Sequence, residues 1–435
     1  MQFQLFFDYD AIVNSCSFTR KYDAIFRAFD KVYRGPDHPA FGRKGYRKSA
    51  YLKALIYKQC EQIKYVADLI RDLESRPAIC MLIGFEPGTL PCPSRFSRFI
   101  SSMNNSDIES LTHSAAKLLI EAGYVSTDVL IGDSKPIRAN SEENNPKNPN
   151  RCLDKKQKIK RNPAATLGYY SYIKQSSDGR KRQFAYFWGY RTHVLISREG
   201  VVLVEVTKPN DVADKDVAKS LMRKLKRVYG QKKGRQIVLD AAYDSNDVYN
   251  FIADEMKSQA VIAENPRYKK PVDEFDKSGR PICEGGLSMK FCGTANEADR
   301  SRVKYRCPIS GGNKKEQAKL PAECPVAHPR FTEGNCYGCT AYVDLAGDAR
   351  AQARLLRQTQ SFQQTYDLRT EAERYFSRLG PREVEDTTLY KYRSIRNQMS
   401  IAHLSLNLVA VAAAIILQRP DRIRCYKTFA DALAA

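Results

Sequence analysis

Two short apolar runs, about a hundred residues apart, each end on an aspartate. Val129-Leu130-Ile131-Gly132 leads into Asp133, and Gln236-Ile237-Val238-Leu239 leads into Asp240. Runs this short and this rich in β-branched residues read as strands buried on both faces. They commit the chain to a core with a sheet, and the helical stretches between and after them make that core mixed α/β. A third acid, Glu373, lies in the helical run Tyr366-Asp-Leu-Arg369-Thr-Glu-Ala-Glu373. Two carboxylates at strand ends and one on a packed helix can converge. Such a site suits hard divalent cations, Mg²⁺ or Mn²⁺, which prefer oxygen ligands. Two such ions roughly 3.5–4 Å apart can hold both the attacking and the leaving oxygen of a phosphoryl transfer.

The charge balance points to the substrate. Lys and Arg outnumber Asp and Glu by 71 to 49, a net charge of +22 over 435 residues. The basic residues cluster, so a polyanion is the expected partner, and binding should weaken with salt through counterion release. The start, Met1-Gln-Phe-Gln-Leu-Phe-Phe, lacks a basic n-region and meets Asp8 and Asp10. It does not read as a secretory signal. Twelve cysteines in so long a chain do not make a dense disulfide framework. A reducing, cytoplasmic setting is expected. Met399 to Gln418 is apolar over about the length of a bilayer span. It is Ala-rich and contains His403, Ser405 and Asn407, so a buried helix is the expectation and no membrane is.

Four regions are expected. Residues 1–115 read as helical, with apolar spacing in Tyr51–Tyr57 and Val66–Leu73 and a Pro-rich break at Pro87–Pro93. This region suits DNA binding or dimerisation. Residues 116–264 form the first part of the core, in the order β-β-β-α-β-α-β. Within them, 141–162 reads as a polar, unanchored loop, and Arg198-Glu-Gly200 as a hairpin turn. Residues 265–350 are a Gly-, Pro-, Lys- and Cys-rich insertion. Residues 351–435 complete the core with a long helix over 351–379 and another over 395–418. In the insertion, Cys307, Cys324, Cys336 and Cys339 include one C-x2-C pair and could hold a structural Zn²⁺, with Cys283, Cys292 and His328 nearby. Unliganded thiols are the alternative. Trp188, the only tryptophan, reads as core, with base stacking as its alternative.

These segments together resemble the insertion-sequence DDE transposases, whose catalytic core is similar to ribonuclease H. Ile131-Gly-Asp133-Ser-Lys-Pro-Ile-Arg138-Ala-Asn140 resembles the first-aspartate motif. Gly189-Tyr190-Arg191-Thr-His193 resembles a Gly-Tyr-Lys-x-His strand. Leu239-Asp240-Ala-Ala-Tyr243-Asp244-Ser245 resembles the second-aspartate motif. Tyr366-x2-Arg369-x3-Glu373 matches the spacing of a Tyr-Arg-Glu-Lys helix. The resemblance implies an α/β, ribonuclease H-like core with an N-terminal all-α domain. It implies metal-dependent cleavage of double-stranded DNA at terminal repeats, strand transfer into target DNA, and a homodimer in a synaptic complex. Asp133, Asp240 and Glu373 would be the catalytic metal ligands. Tyr366, Arg369, Arg138, Arg191 and His193 would face DNA, His193 with a structural role as its rival.

Two positions depart from the pattern. The lysine expected seven residues after Glu373 falls on Gly380, with Lys135 and Lys391 as possible substitutes, and a glycine of the second motif is Ala242. Asp244, the rival of Asp240, reads as a helix N-cap or its neighbour. A transposase-derived DNA-binding protein without catalysis, and a nuclease that cuts without joining, remain the alternatives.

Overall fold

The computed structural model describes the chain apart from residues 1–8, 15, 39–44, 150, 177–178, 266–274, 277, 298–299, 311–320, 322, 328–337, 345–352, 354–355, 358, 381–384 and 425–435. The chain divides into two compact units, residues 1–231 with 369–435, and residues 232–368.

In the first unit, seven helices come first: α1 (Tyr9–Asn14), α2 (Ser17–Val32), α3 (Lys48–Cys60), α4 (Val66–Ser75), α5 (Pro77–Ile83), α6 (Pro93–Ser102) and α7 (Asn105–Glu121). Strands β1 (Val129–Arg138), β2 (Thr166–Ser176), β3 (Gly179–Ser197) and β4 (Val202–Pro209) follow, then α8 (Asp214–Tyr229). The long β3 organises the sheet. Its second half lies between β1 and β4, antiparallel to both, and its first half forms a hairpin with β2. The hairpin adds a strand that the expected order lacked. The Arg198–Gly200 turn joins β3 to β4 as expected, with Gly200 at φ +76°.

After the second unit the chain returns with α11 (Thr370–Leu379) and α12 (Tyr392–Val411), the latter continuing as a wider π turn over Ala412–Ile416. Helix α12 packs against α2, α3, α6, α7 and β4. The N-terminal helices thus belong to the same core as the sheet. The span Tyr392–Ile416 is long and apolar enough to cross a membrane, yet 83% of its most apolar window is buried inside the protein. Its polar residues show why it suits a protein core. Asn407 donates to Val202 O (2.8 Å) and accepts from Val202 N (3.0 Å). Asn397 donates to Ile100 O at 2.7 Å. Each buried amide replaces its lost water with a fixed partner.

The segment after β1 is anchored, contrary to the unanchored loop expected. Asn144 accepts from Trp188 N (2.8 Å) and donates to Ala139 O and Trp188 O. Asn162 is fully buried and accepts from the Tyr190 hydroxyl. Two asparagines supply bonds that regular structure would otherwise supply. Trp188 is core, its indole N–H donating to Cys152 O at 2.8 Å.

The second unit holds β5 (Gln236–Leu239) and β6 (Gln259–Ile262), paired in parallel, with α9 (Asn246–Asn250) and a π turn (Phe251–Glu255) between them. A separate antiparallel sheet follows, β7 (Lys290–Glu297), β8 (Arg300–Arg306) and β9 (Thr340–Asp344). Helix α10 (Gln360–Asp367) packs on β6. The whole is the mixed α/β class expected, consistent with a ribonuclease H-like core.

Candidate active site

Strand β1 carries Asp133 opposite Val194 of β3. The carboxylate is half-buried, and its Oδ1 accepts from the Ser134 amide at 2.7 Å. Side chains two apart on a strand share a face, so Lys135 projects on the same side as Asp133. Lys135 Nζ donates to Phe376 O (3.4 Å), in the last turn of α11, and pairs with Glu385 at 2.9 Å. Helix α11 packs against β1. Its first turn bears Glu373, where an acid also suits the helix dipole. The Glu373 side chain is 58% exposed and accepts from Arg369 at 2.6 Å. One strand and one helix, packed together, thus bring two of the expected acids into one unit.

Tyr366 and Arg369 depart from expectation. No single helix spans 351–379: α10 ends at Asp367 and α11 begins at Thr370. The turn between them is tightened by Leu368 N→Thr365 O at 3.2 Å and Ala372 N→Arg369 O at 3.0 Å. Tyr366 therefore does not share a helix face with Arg369 and Glu373. It stacks on Phe362, with ring centroids 5.9 Å apart and planes 7° apart. Arg369 directs one guanidinium nitrogen at Glu373, the pairing expected of an i, i+4 surface couple.

In the second unit, Asp240 directly follows β5 and caps a 3₁₀ turn over Ala241–Tyr243, accepting from Ala242 N at 2.9 Å. Asp244 is the neighbour of an N-cap, as expected: it directly precedes Ser245, which stands at the N-cap of α9. Asp244 is buried, accepting from Asn265 N (2.9 Å) and pairing with Arg357 at 3.2 Å. Arg357 also donates to Ile262 O (2.9 Å) and the Tyr249 hydroxyl (2.7 Å). This brace ties the turn after Asp240 to the end of β6. Sequence reasoning missed Arg357, because it lies 113 residues from its partner Asp244.

The remaining expected DNA contacts divide. Arg138 donates to the Tyr170 hydroxyl (2.9 Å) and pairs with Asp386 (3.2 Å). It lines an open cavity of about 630 Å³ together with Lys64, Asn140, Arg151, Tyr186 and Asp386. Arg191 donates to Tyr169 O (2.7 Å) and lies 3.7 Å from Asp214. His193 is a correction: it is buried at 1% exposure, so it does not face DNA. Burial, reinforced by the nearby Arg191 charge, lowers its pKa to about 3 and keeps the ring neutral. The β2–β3 hairpin instead exposes Tyr169, Tyr172, Phe184 and Tyr186. Tyr169 meets Phe184 edge-on at 5.7 Å and Tyr186 at 6.0 Å. The register sets Tyr169 opposite Tyr186, so Tyr169, Phe184 and Tyr186 share one face of the hairpin and Tyr172 lies on the other.

Gly380, where a lysine was expected, ends α11 at φ +90°. A Cβ there would lie 3.1 Å from Gln62 Nε2. Glycine serves the chain reversal, and the nearest lysine to this turn that the described contacts identify is Lys135.

Among the described residues, no group of three or more His, Cys, Asp or Glu side chains stands together as a cation cage. The donor chemistry of Asp133, Asp240 and Glu373 nevertheless suits a hard divalent ion, since each offers carboxylate oxygen. Cys336 and His328 lie outside the described residues.

Residues 125–408 match the family described as "Transposase DDE domain". A comparison with curated proteins finds no match. One similar solved structure is a piggyBac transposase synaptic complex with hairpin DNA, at 12% identity and a TM-score of 0.38, covering 98% of this chain and 79% of that one. A likeness that loose carries no conclusion.

Proposed function

The chain belongs to the DDE transposase family, and from that premise we propose that Asp133, Asp240 and Glu373 are its catalytic carboxylates. The observation that carries the reading is the packing of α11 on β1, which puts Glu373 and Asp133 on adjoining elements. Asp240 joins them on family grounds and on its place directly after β5. When bound, Mg²⁺ or Mn²⁺ would activate the attacking oxygen and stabilise the leaving one. The chain's own residues do the rest. Asp133 is held in place by the Ser134 amide. Glu373 is oriented by Arg369; Glu373 would help to hold the cation, and the Arg369 guanidinium would suit a phosphate. Lys135 supplies from β1 the ammonium that Gly380 cannot.

The reaction proposed is hydrolysis of a phosphodiester at the element end, followed by in-line attack of the freed 3′-OH on a target phosphate. Double-stranded DNA of the terminal repeats and the target is the substrate. Arg138 and Arg191, with the exposed aromatics of the β2–β3 hairpin, form part of its track, the aromatics offering faces for unstacked bases. Two duplex ends call for a homodimer.

The test is cleavage of a labelled duplex carrying the element's own terminal repeat, in Mg²⁺ and in EDTA, with wild type and Asp240→Ala. Metal-dependent 3′-OH ends that vanish in the variant, followed by joined products, support the proposal. Tight binding with no cutting in Mg²⁺ overturns it in favour of a non-catalytic DNA-binding protein. Cutting without joining favours a nuclease.

A further inference from the structure

Among the described residues, the small sheet β7-β8-β9 has a core of Met289, Val303 and Tyr305, with Cys283, Cys339, Ala341 and Val343 packed around it. So few apolar groups rarely hold a sheet by burial alone, and natural modules of this size add a staple. Three cysteines meet at one end of it. Cys307 follows β8 and Cys339 precedes β9. The last strand rung pairs Arg306 with Thr340, so the next places Cys307 opposite Cys339. The bond Cys307 N→Cys339 O, at 2.8 Å, continues the ladder through that pair.

Two turns deliver the thiols. Gly338 sits at φ +63°, and a Cβ on it would stand 2.4 Å from Cys307 Cβ and 2.9 Å from its Sγ. Only glycine lets this turn close over the Cys307 thiol. The third cysteine comes from a hairpin closed by Met289 N→Pro281 O (2.8 Å) and Cys283 N→Leu287 O (2.9 Å). Gly286, at φ +74°, donates back to Cys283 O at 2.8 Å. Cys283 and Cys339 pack against the same small core, and Cys307 and Cys283 both lie beside the Cys339 thiol. A disulfide between any two of the three would leave the third over. A thiophilic divalent ion neutralises all three as thiolates.

We propose that Cys283, Cys307 and Cys339 are ligands of a structural zinc ion that staples the β7-β8-β9 sheet. This revises the set expected from spacing. Cys283 enters it because it packs against the same small core as Cys339, and Cys324 is not among the described residues of that core. Cys336 lies outside the described residues, and the site rests on the other three. The thiols are not a preformed cage among those residues, and an ion would have to draw the three sulfurs in on binding.

The experiment uses the full chain purified under reducing conditions. Elemental analysis reads its zinc content, and Co²⁺ added to the metal-free protein reads thiolate ligation through sulfur-to-cobalt charge transfer. About one zinc per chain and a charge-transfer band are expected. Cys283→Ser, Cys307→Ser and Cys339→Ser should each weaken retention at least tenfold, while Cys324→Ser and Asp240→Ala match wild type. The wild-type cobalt spectrum needs no variant to fold. No zinc and no charge-transfer band overturn the proposal, as does wild-type retention by Cys283→Ser or loss of zinc in Asp240→Ala. None of these readouts involves DNA cleavage, so the zinc site and the catalytic assignment fail or stand separately.

Discussion

His403 is buried on every side in α12 and bridges two other elements. Its Nε2 lies 2.9 Å from Thr192 Oγ1 on β3, and its Nδ1 lies 2.6 Å from the Tyr375 hydroxyl on α11. The helix that carries Glu373 is thereby tied to the sheet through a neutral imidazole. His403→Ala removes both bonds and leaves two buried hydroxyls without them, at roughly 1–3 kcal/mol each. With the cavity added, the expected loss is about 4 kcal/mol at pH 8. Desolvation lowers the folded-state pKa of His403 to about 3, whereas an imidazole in the unfolded chain titrates near ~6.5. Because the folded pKa is depressed, the wild-type contribution is complete above ~6.5 and is lost as pH falls toward about 3. At pH 5 the wild type has lost about 2 kcal/mol by this route, and the alanine variant has lost none of it. The difference between the two proteins should therefore shrink from about 4 to about 2 kcal/mol between pH 8 and pH 5. Urea unfolding followed by the fluorescence of Trp188, the single tryptophan and buried in the same unit, measures it. A difference that is equal at the two pH values, or below about 1 kcal/mol at pH 8, refutes the buried neutral bridge.

Three further outcomes follow from the same geometry. Asp133→Ala, Asp240→Ala and Glu373→Ala should each cut nicking on the order of a thousandfold, since a lost metal ligand removes several kcal/mol of transition-state stabilisation. Duplex affinity in gel shifts should stay near wild type, and a variant that nicks normally removes its residue from the site. Arg357→Ala leaves Asp244 buried without its ion pair and should cost about 3–5 kcal/mol; a loss under about 1 kcal/mol in urea unfolding would mean the brace is not needed. Gly380→Lys forces a side chain into the φ +90° turn beside Gln62. It should destabilise by about 1–3 kcal/mol without raising cleavage, and a gain in nicking would displace Lys135 from its assigned role.

The periodic features were legible in the residues themselves. The strand that carries Asp133, the strand before Asp240, the hairpin turn at Gly200 and the buried helix expected over 395–418 are local patterns, set by burial every second or every third and fourth residue, although β1 runs on past Asp133 to Arg138. The same holds for the basic balance and the order of the acids, which together marked the family. What depends on distant partners was not legible. The break between α10 and α11 lies within a continuous helical pattern and appears only where the i→i+4 ladder gives way. His193 sits in the same local motif whether it faces DNA or the core, and its burial under its neighbours removes it from the surface. Arg357 and His403 find their partners across 113 and 211 residues. The cysteine spacing favoured Cys324, but strand register put Cys283 beside Cys307 and Cys339. The sequence alone determined most of the core strands and helices and which residues are chemically able to hold a cation. Only the tertiary structure decided which of them meet, because pairing is fixed by register and packing between segments, and neither is encoded in the spacing within one.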